Sequence, residues 1–226
     1  DALRELALES DNLLALHARA VAGQLPTVPD AGLRAAQVLH ALLLHRGPTT
    51  LDRELLDAAL GAAPDAPPTL RAQALTARAE VLRLLGEIAA ARADLAAAAA
   101  LAPASEPRLR TRLGWLHGVL DADQGRYAEA RNGLEAALAA AAAQGDDDLC
   151  GRSSSSLGIV AHLEGRLNDA EVCYERAVSA CHAAGNLRTE GYALANLANL
   201  HGELGHPGAD AEHSRAHALA REIGSR

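Results

Sequence analysis

Apolar residues recur along the chain at the three- and four-residue spacing of amphipathic helices. Leu75, Ala79 and Leu82 follow this spacing, and so do many residues like them. About every forty residues a glycine interrupts the pattern, at Gly47, Gly86, Gly125, Gly165 and Gly205. Each glycine lies between two apolar stretches, where a tight turn needs the left-handed or otherwise strained backbone that glycine adopts readily. The pattern therefore predicts pairs of helices joined by short turns.

Small residues occupy fixed places around these turns. Seven positions before the glycines stand His40, Ala79, Gly118, Gly158 and Ala198. Five positions after them stand Asp52, Ala91, Ala130, Ala170 and Asp210. Nine positions after the first four glycines the side chains are larger, at Leu56, Leu95, Leu134 and Tyr174. Small side chains at matching places let the two helices of a hairpin approach closely.

A second set of signals marks the far end of each pair. Gly145 and Gly185 follow alanine-rich stretches, and Asp146 and Asn186 come directly after them. Glycine ends a helix, and the Asp or Asn behind it caps the next one. The earlier pairs end at Pro64 and Pro103, and a further Gly stands at position 224.

The residues at these recurring positions resemble those of the tetratricopeptide repeat, most closely at residues 125–130 and 165–170. The resemblance implies an all-α, right-handed α-solenoid of about five helical hairpins. Its approximate repeats are 31–66, 69–105, 107–145, 147–185 and 187–226, after an additional N-terminal helix and junction within 1–24. The spacing is longer than the usual ~34 residues. Asp52, Asp210 and Asp121 depart from the motif, so we expect degenerate capping repeats at the ends.

The first segment, with a predicted helix over 3–16, carries Glu9, Ser10, Asp11, Asn12 and Leu13. Followed by a long-period array, it resembles the junction that enters the helical arrays of bacterial STAND signalling ATPases. That resemblance implies an NTPase and an effector domain before the repeats. The resemblance also implies that the chain is a protein-interaction and sensor module of a larger signalling or transcriptional regulator.

Composition narrows the classes of function. Of 226 residues, 49% are hydrophobic and 22% charged, with a formal net charge of −8. This is the balance of a globular protein that does not bind nucleic acid. No apolar run approaches the ~20 residues of a membrane span. With no visible signal peptide and three unpaired cysteines, the chain is expected to be cytoplasmic.

The sequence carries no motif for catalysis. It has no lysine, hence no phosphate loop, and no Gly-x-Ser-x-Gly elbow. We therefore expect neither enzyme activity nor a cofactor. His213 and His217, one helical turn apart, are weak candidates for a metal site. A solvated histidine-rich cap explains them equally, and no metal is predicted.

A partner is expected in the concave groove, which is lined by the first helix of each hairpin. Helical geometry leaves one stripe of these helices facing it. The groove residues are Arg34, Gln37, Gln73, Thr76, Arg83, Arg112, Trp115, Arg152, Ser155, His162, Tyr192, Asn196 and Asn199. The same stripe includes Glu80, Val119 and Ile159. Its arginines predict an acidic or carboxylate-bearing peptide segment, or a neighbouring domain of the same protein.

Two alternatives stay open. In the first, the arginines only solvate an exposed helix face and Trp115 fills a gap between repeats. In the second, the chain is a structural scaffold that self-associates through its alanine-rich helices at 89–102 and 135–143 and has no peptide ligand.

Overall fold

The computed structural model describes residues 9–25 and 27–225 and contains eleven α-helices and no strand within them. They are α1 Ser10–Val21, α2 Ala31–Arg46, α3 Thr49–Ala62, α4 Pro68–Leu84, α5 Ile88–Leu101, α6 Pro107–Asp123, α7 Tyr127–Ala143, α8 Asp147–Leu163, α9 Leu167–Ala184, α10 Leu187–Glu203 and α11 Ala209–Ser225. The predicted all-α class of about five helical hairpins with an additional N-terminal helix is confirmed. The hairpins are α2–α3, α4–α5, α6–α7, α8–α9 and α10–α11.

Contacts divide the chain into two compact units, one reaching Leu113 and the other covering Gly114–Ser225. The division falls inside α6. In the first unit, α1 packs on α2 and α3, and the buried ring of His17 lies 2.8 Å from the carbonyl oxygen of Leu55. The helix predicted over 3–16 begins at Ser10 in the described chain and runs further, to Val21; residues 3–8 lie outside the described residues.

The core of the first unit is built from leucines and alanines. Leu33, Leu39, Leu56 and Leu95 are fully buried, together with small residues such as Ala79 and Ala91. In its first hairpin two polar residues replace the small pair: His40 Nδ1 lies 2.8 Å from Asp52 Oδ2, and both side chains are buried. A buried pair of this kind needs its partner, since either group alone would be left unsatisfied.

The core of the second unit shows why the positions seven residues before the turn glycines carry small residues. Tyr174 of α9 is buried directly against Gly158 of α8. A Cβ at Gly158 would lie 2.5 Å from the Tyr174 ring, and one at Gly118 would lie 2.8 Å from Leu134. The predicted close approach of paired helices is present in both hairpins.

The turns follow the glycine pattern with one exception. Gly86, Gly125, Gly165 and Gly205 all adopt left-handed φ values between 70° and 78°. Gly47 differs, with φ −98° and ψ 169°, so a left-handed turn there is the wrong expectation. Its neighbour explains the difference, because Pro48 disfavours helical backbone in the residue before it.

The helix ends also match the pattern. Gly185 ends α9 in the left-handed conformation, and Gly145 behind α7 has φ 63°. Asp146 Oδ1 accepts the Leu149 amide at 3.1 Å, and Asn186 Oδ1 accepts the Thr189 amide at 3.0 Å. Both predicted caps are therefore formed, at the starts of α8 and α10.

Candidate partner-binding face

Helices α8 and α10 of the second unit present neighbouring side chains to solvent. On α10, Tyr192, Asn196 and Asn199 are spaced by four and three residues, so they form one stripe. On α8, Ile159 stands six residues before its turn glycine, the place that Asn199 holds on α10. The two helices pack together, and His162 Nε2 lies 3.1 Å from Glu203 Oε2 across them. We call Ile159, His162, Tyr192, Asn196 and Asn199 the partner face.

Two large apolar side chains on this face are exposed. Ile159 is 41% exposed and Tyr192 is 58% exposed. The guanidinium carbon of Arg188 lies 5.6 Å from the centre of the Tyr192 ring, which is the geometry of a cation–π contact. This contact holds the ring in place while leaving much of it accessible.

The amides of the face supply hydrogen-bonding groups. Asn196 is half-buried, and Asn199 is exposed with its Oδ1 3.2 Å from His213 Nε2. A side-chain amide both donates and accepts, so it can bond the N–H and the C=O of an extended backbone. The face thus combines apolar anchors with amide groups.

Trp115 lies in a different environment. It is only 7% exposed, and its Nε1–H donates to Ser156 Oγ at 3.1 Å. Arg152 lies over the ring at 5.2 Å and also pairs with Asp148 at 3.4 Å. Trp115 therefore joins α6 to α8. This agrees with the alternative in which Trp115 fills a gap between repeats. Little of its surface remains for another molecule.

Other residues of the predicted stripe are buried. Thr76 is fully buried and donates its hydroxyl to the Ala72 carbonyl at 2.7 Å. Ser155 and Val119 are also buried. These three side chains cannot touch a partner without a rearrangement of the helices around them.

In the first unit the stripe is largely engaged within the chain. Gln37 Nε2 donates to the Leu70 carbonyl at 3.0 Å, which ties α2 to α4. Arg112 pairs with Glu80 at 2.7 Å. Gln73 and Arg83 are partly exposed. The structure does not gather these residues into a site with an apolar anchor of the kind found on α8 and α10.

The ion pairs change the expected charge of the stripe. Arg34 pairs with Asp30 at 2.8 Å, Arg112 with Glu80 and Arg152 with Asp148. Each of these three arginines has a carboxylate beside it, so the positive charge predicted from the stripe alone is largely balanced.

Arg188 is a residue that the sequence analysis missed. It precedes Tyr192 by one helical turn and lies outside the stripe that turn geometry defines. The spacing of four residues between a cation and an aromatic ring on one helix was the available signal.

One of the weak metal candidates, His213, is engaged within the chain. His213 Nδ1 lies 3.0 Å from the Ala209 carbonyl, and Nε2 faces Asn199. Among the described residues, no three His, Cys, Asp or Glu side chains are grouped so as to hold a metal. Burial raises the pKa of Cys181 to about 12, which keeps this thiol protonated and unreactive.

Known proteins resemble this chain in its repeats and in its fold. Residues 108–183 match the family model described as tetratricopeptide repeat. These residues belong to the tetratricopeptide-repeat family. The matched segment covers the third and fourth hairpins almost completely, from the start of α6 to the end of α9, and includes Trp115 and Ile159. Tetratricopeptide repeats are in general protein-interaction modules, so the coarse class of function is protein binding.

The regulatory protein AfsR of Streptomyces griseus is 38% identical to the chain over 106 residues. That match covers 47% of this chain and only 10% of AfsR, so the chain spans a small part of that relative.

Two solved structures resemble the chain in fold. BtubC (BKLC) of P. vanneervenii has a TM-score of 0.65 at 15% identity and covers 98% of this chain and 93% of its own. Aspartyl phosphate phosphatase F of Bacillus subtilis has a TM-score of 0.67 at 16% identity, covering 86% of this chain and 52% of its own. At these identities the likeness concerns the fold alone. Among the described residues, none of the helices has the length and apolar character needed to cross a membrane.

Proposed function

We propose that this tetratricopeptide-repeat chain binds a segment of another protein, or of a neighbouring domain, at the partner face. The observation that carries the proposal is the pair of large exposed side chains, Ile159 and Tyr192, on two adjacent helices beside Asn196 and Asn199. Monomeric proteins expose single apolar residues freely, but large exposed apolar side chains on adjacent helices beside amide groups are typical of interaction sites.

The chemistry of the face favours a particular kind of ligand. An apolar or aromatic side chain of the ligand would contact Ile159 and Tyr192, and its backbone would bond the two asparagines. Because Arg34, Arg112 and Arg152 already pair with carboxylates, they support an acidic ligand less than their number suggests. The ligand is therefore chosen by apolar contact and amide bonding more than by charge.

The wider role proposed is that of a sensor module in a cytoplasmic regulator. The likeness to AfsR, whose name is that of a regulatory protein, supports this role. If an NTPase or effector domain belongs to the same protein, capture of a segment would bias its equilibrium between two states. The size of that bias equals the difference in binding free energy between the states.

A peptide selection tests the binding proposal. A phage library of random 12-residue peptides is selected on the wild-type chain alone, and the affinity of each selected peptide for Ile159→Ser/Tyr192→Ser is then measured. Selected peptides are expected to carry an apolar or aromatic residue. Their affinity for the double variant should fall at least about tenfold, because two interface anchors are lost.

Val172→Ser/Leu84→Ser is the matched control. Val172 on α9 and Leu84 on α4 are similarly exposed, at 55% and 44%, and neither lies on α8 or α10. Selected peptides that bind the control as weakly as they bind Ile159→Ser/Tyr192→Ser would show that the partner face is not the site. Peptides whose affinity is unchanged by either double substitution would show the same.

Sedimentation equilibrium tests the scaffold alternative. A concentration-independent monomer mass is expected from a peptide-binding module. A tight oligomer that excludes the selected peptides would instead favour self-association through the alanine-rich helices α5 and α7.

A further inference from the structure

A buried histidine joins three elements near the end of the second unit. His201 of α10 has its Nδ1 2.8 Å from Glu212 Oε2 of α11 and its Nε2 3.1 Å from Glu171 Oε1 of α9. The side chain is 8% exposed. The ring stacks on His206 of the following turn, with centroids 4.8 Å apart.

This geometry requires an additional proton. A neutral imidazole has one N–H and one lone pair, whereas here both ring nitrogens face carboxylate oxygens. With a neutral ring, one lone pair of the ring would point at one of these oxygens. The arrangement is satisfied when both nitrogens donate, which means a doubly protonated ring between two carboxylates.

We propose that His201 is a proton-dependent clamp: its protonated ring holds α11 against α9 and α10, and loss of the proton loosens α11. Helix α11 supplies Ala211, Glu212 and Arg215 to one wall of a cavity of about 580 Å³. The opposite walls come from α9 and α10, so loosening α11 opens this cavity. The clamp does not rest on the proposed binding of a partner segment, although Asn199 of the partner face contacts His213 of α11.

The direction of the pH effect follows from the surroundings of the ring. Burial opposes the charged form, but the hydrogen bonds and charges of Glu171 and Glu212 outweigh it and raise the pKa of His201 above 6.5. A raised pKa in the folded state stabilises that state fully below the unfolded value. The stabilisation is lost as the pH rises through the folded value. The protonated ring therefore holds α11 in place at pH 6.5, and α11 loosens as the pH rises above the pKa of His201.

Other titratable groups lie near His201, and their effects on the pH dependence must be distinguished from its own. Glu171, Glu212 and His206 face the ring directly. The adjoining turns also carry the titratable or charged side chains of Asp169, Cys173, Tyr174, Glu175, Glu203, Asp210, His213 and Arg215. His182 lies elsewhere on α9, with its Nδ1 3.3 Å from Glu190 Oε2 of α10.

Two measurements on the full chain test the clamp. Long-range ¹H–¹⁵N spectra of the histidine rings should show His201 doubly protonated at pH 6.5 and losing its second ring proton only at a higher pH. Amide exchange, corrected for the intrinsic effect of pH, should show α11 opening more often at pH 9 than at pH 6.5. The increase is about tenfold for each unit by which folding raises the ring's pKa.

Variants make the result specific. His201→Gln should abolish the pH dependence of α11 opening, whereas His213→Gln, a change on α11 itself, should retain it. If His201→Gln does not fold, Glu212→Gln serves instead and should move the transition to lower pH, with Glu175→Gln as its control. A neutral His201 ring at pH 6.5, or unchanged pH dependence in His201→Gln or Glu212→Gln, would overturn the proposal.

Discussion

Single residues set how closely the paired helices approach. At Gly158 and Gly118 no space exists for a Cβ, since the neighbouring Tyr174 and Leu134 fill it. Both neighbours are buried and belong to the second helix of the same hairpin. The glycines are therefore required by packing, and their mid-helix position would otherwise be a disadvantage.

Gly158→Ala tests this requirement. The added methyl group would lie 2.5 Å from the ring of Tyr174, which is fully enclosed and cannot swing away. We expect the free energy of unfolding to fall by about 1–3 kcal/mol, as for other overpacked cores. Urea unfolding followed by circular dichroism measures it.

Gly202→Ala in α10 is the matched control. A Cβ there meets nothing within 4 Å, and the backbone is helical. Because alanine favours a helix, this variant should gain up to about 1 kcal/mol. Equal effects of the two changes would mean that helix propensity, and not the contact with Tyr174, decides the role of Gly158.

The sequence predicted the small residues at fixed positions but left two roles open for Trp115, a contact residue of the groove or a filler between repeats. A side chain of the predicted groove stripe is exposed when the first helix of the next repeat lies far from it. The same side chain is buried when that helix packs close to it. Here Ser156 is close enough to accept the indole N–H, and Arg152 covers the ring. Residue spacing within one helix carries no information about this approach. The same limit applies to Thr76 and Ser155, which are buried although spacing alone assigned them to the groove.

At the scale of helices, Trp115 links α6 to α8 through Ser156 and Arg152. Trp115→Ala removes its buried ring and leaves a cavity, so the free energy of unfolding should fall by about 3–5 kcal/mol. Trp115→Phe keeps most of the apolar contact and loses the hydrogen bond to Ser156, at a cost of about 1 kcal/mol or somewhat more. Chemical denaturation of both variants measures the difference.

Stability distinguishes the two interpretations of this residue. A Trp115→Ala variant that unfolds like the wild type but binds selected peptides more weakly would make Trp115 a contact residue for the partner. A destabilised variant assigns it to packing, and leaves binding to the exposed pair Ile159 and Tyr192.

The order of helices and most of their ends follow from sequence signals at this scale. Gly185, Asp146 and Asn186 end or begin helices as predicted, because these signals act within one turn of backbone. Gly47 is the exception, since Pro48 restricts its backbone and no alignment of glycines reveals that. Contacts between helices distant in sequence, such as His201 with Glu171, depend on the packed structure and were not predicted.

At the scale of the whole molecule, two compact units share one chain. In repeat proteins each repeat contacts mainly its neighbours, so stability is close to a sum of local terms. A defect in the first hairpin should therefore weaken its own unit much more than the second. The buried pair of His40 and Asp52 provides such a defect, because both residues lie in the hairpin α2–α3.

Asp52→Ala tests this locality. Removing the carboxylate leaves His40 buried without its partner, and breaking such a pair costs about 3–5 kcal/mol. Native-state hydrogen exchange should show lost protection across α2–α5 and nearly unchanged protection in α8–α10. Asp57→Ala, on the same helix but at an exposed ion pair with Arg78, should change protection by no more than about 1 kcal/mol. Equal loss of protection in both units after Asp52→Ala would mean that the chain unfolds as one cooperative body. In that case a perturbation in the first hairpin would reach the partner face on α8 and α10, and the repeats could transmit a signal along their full length.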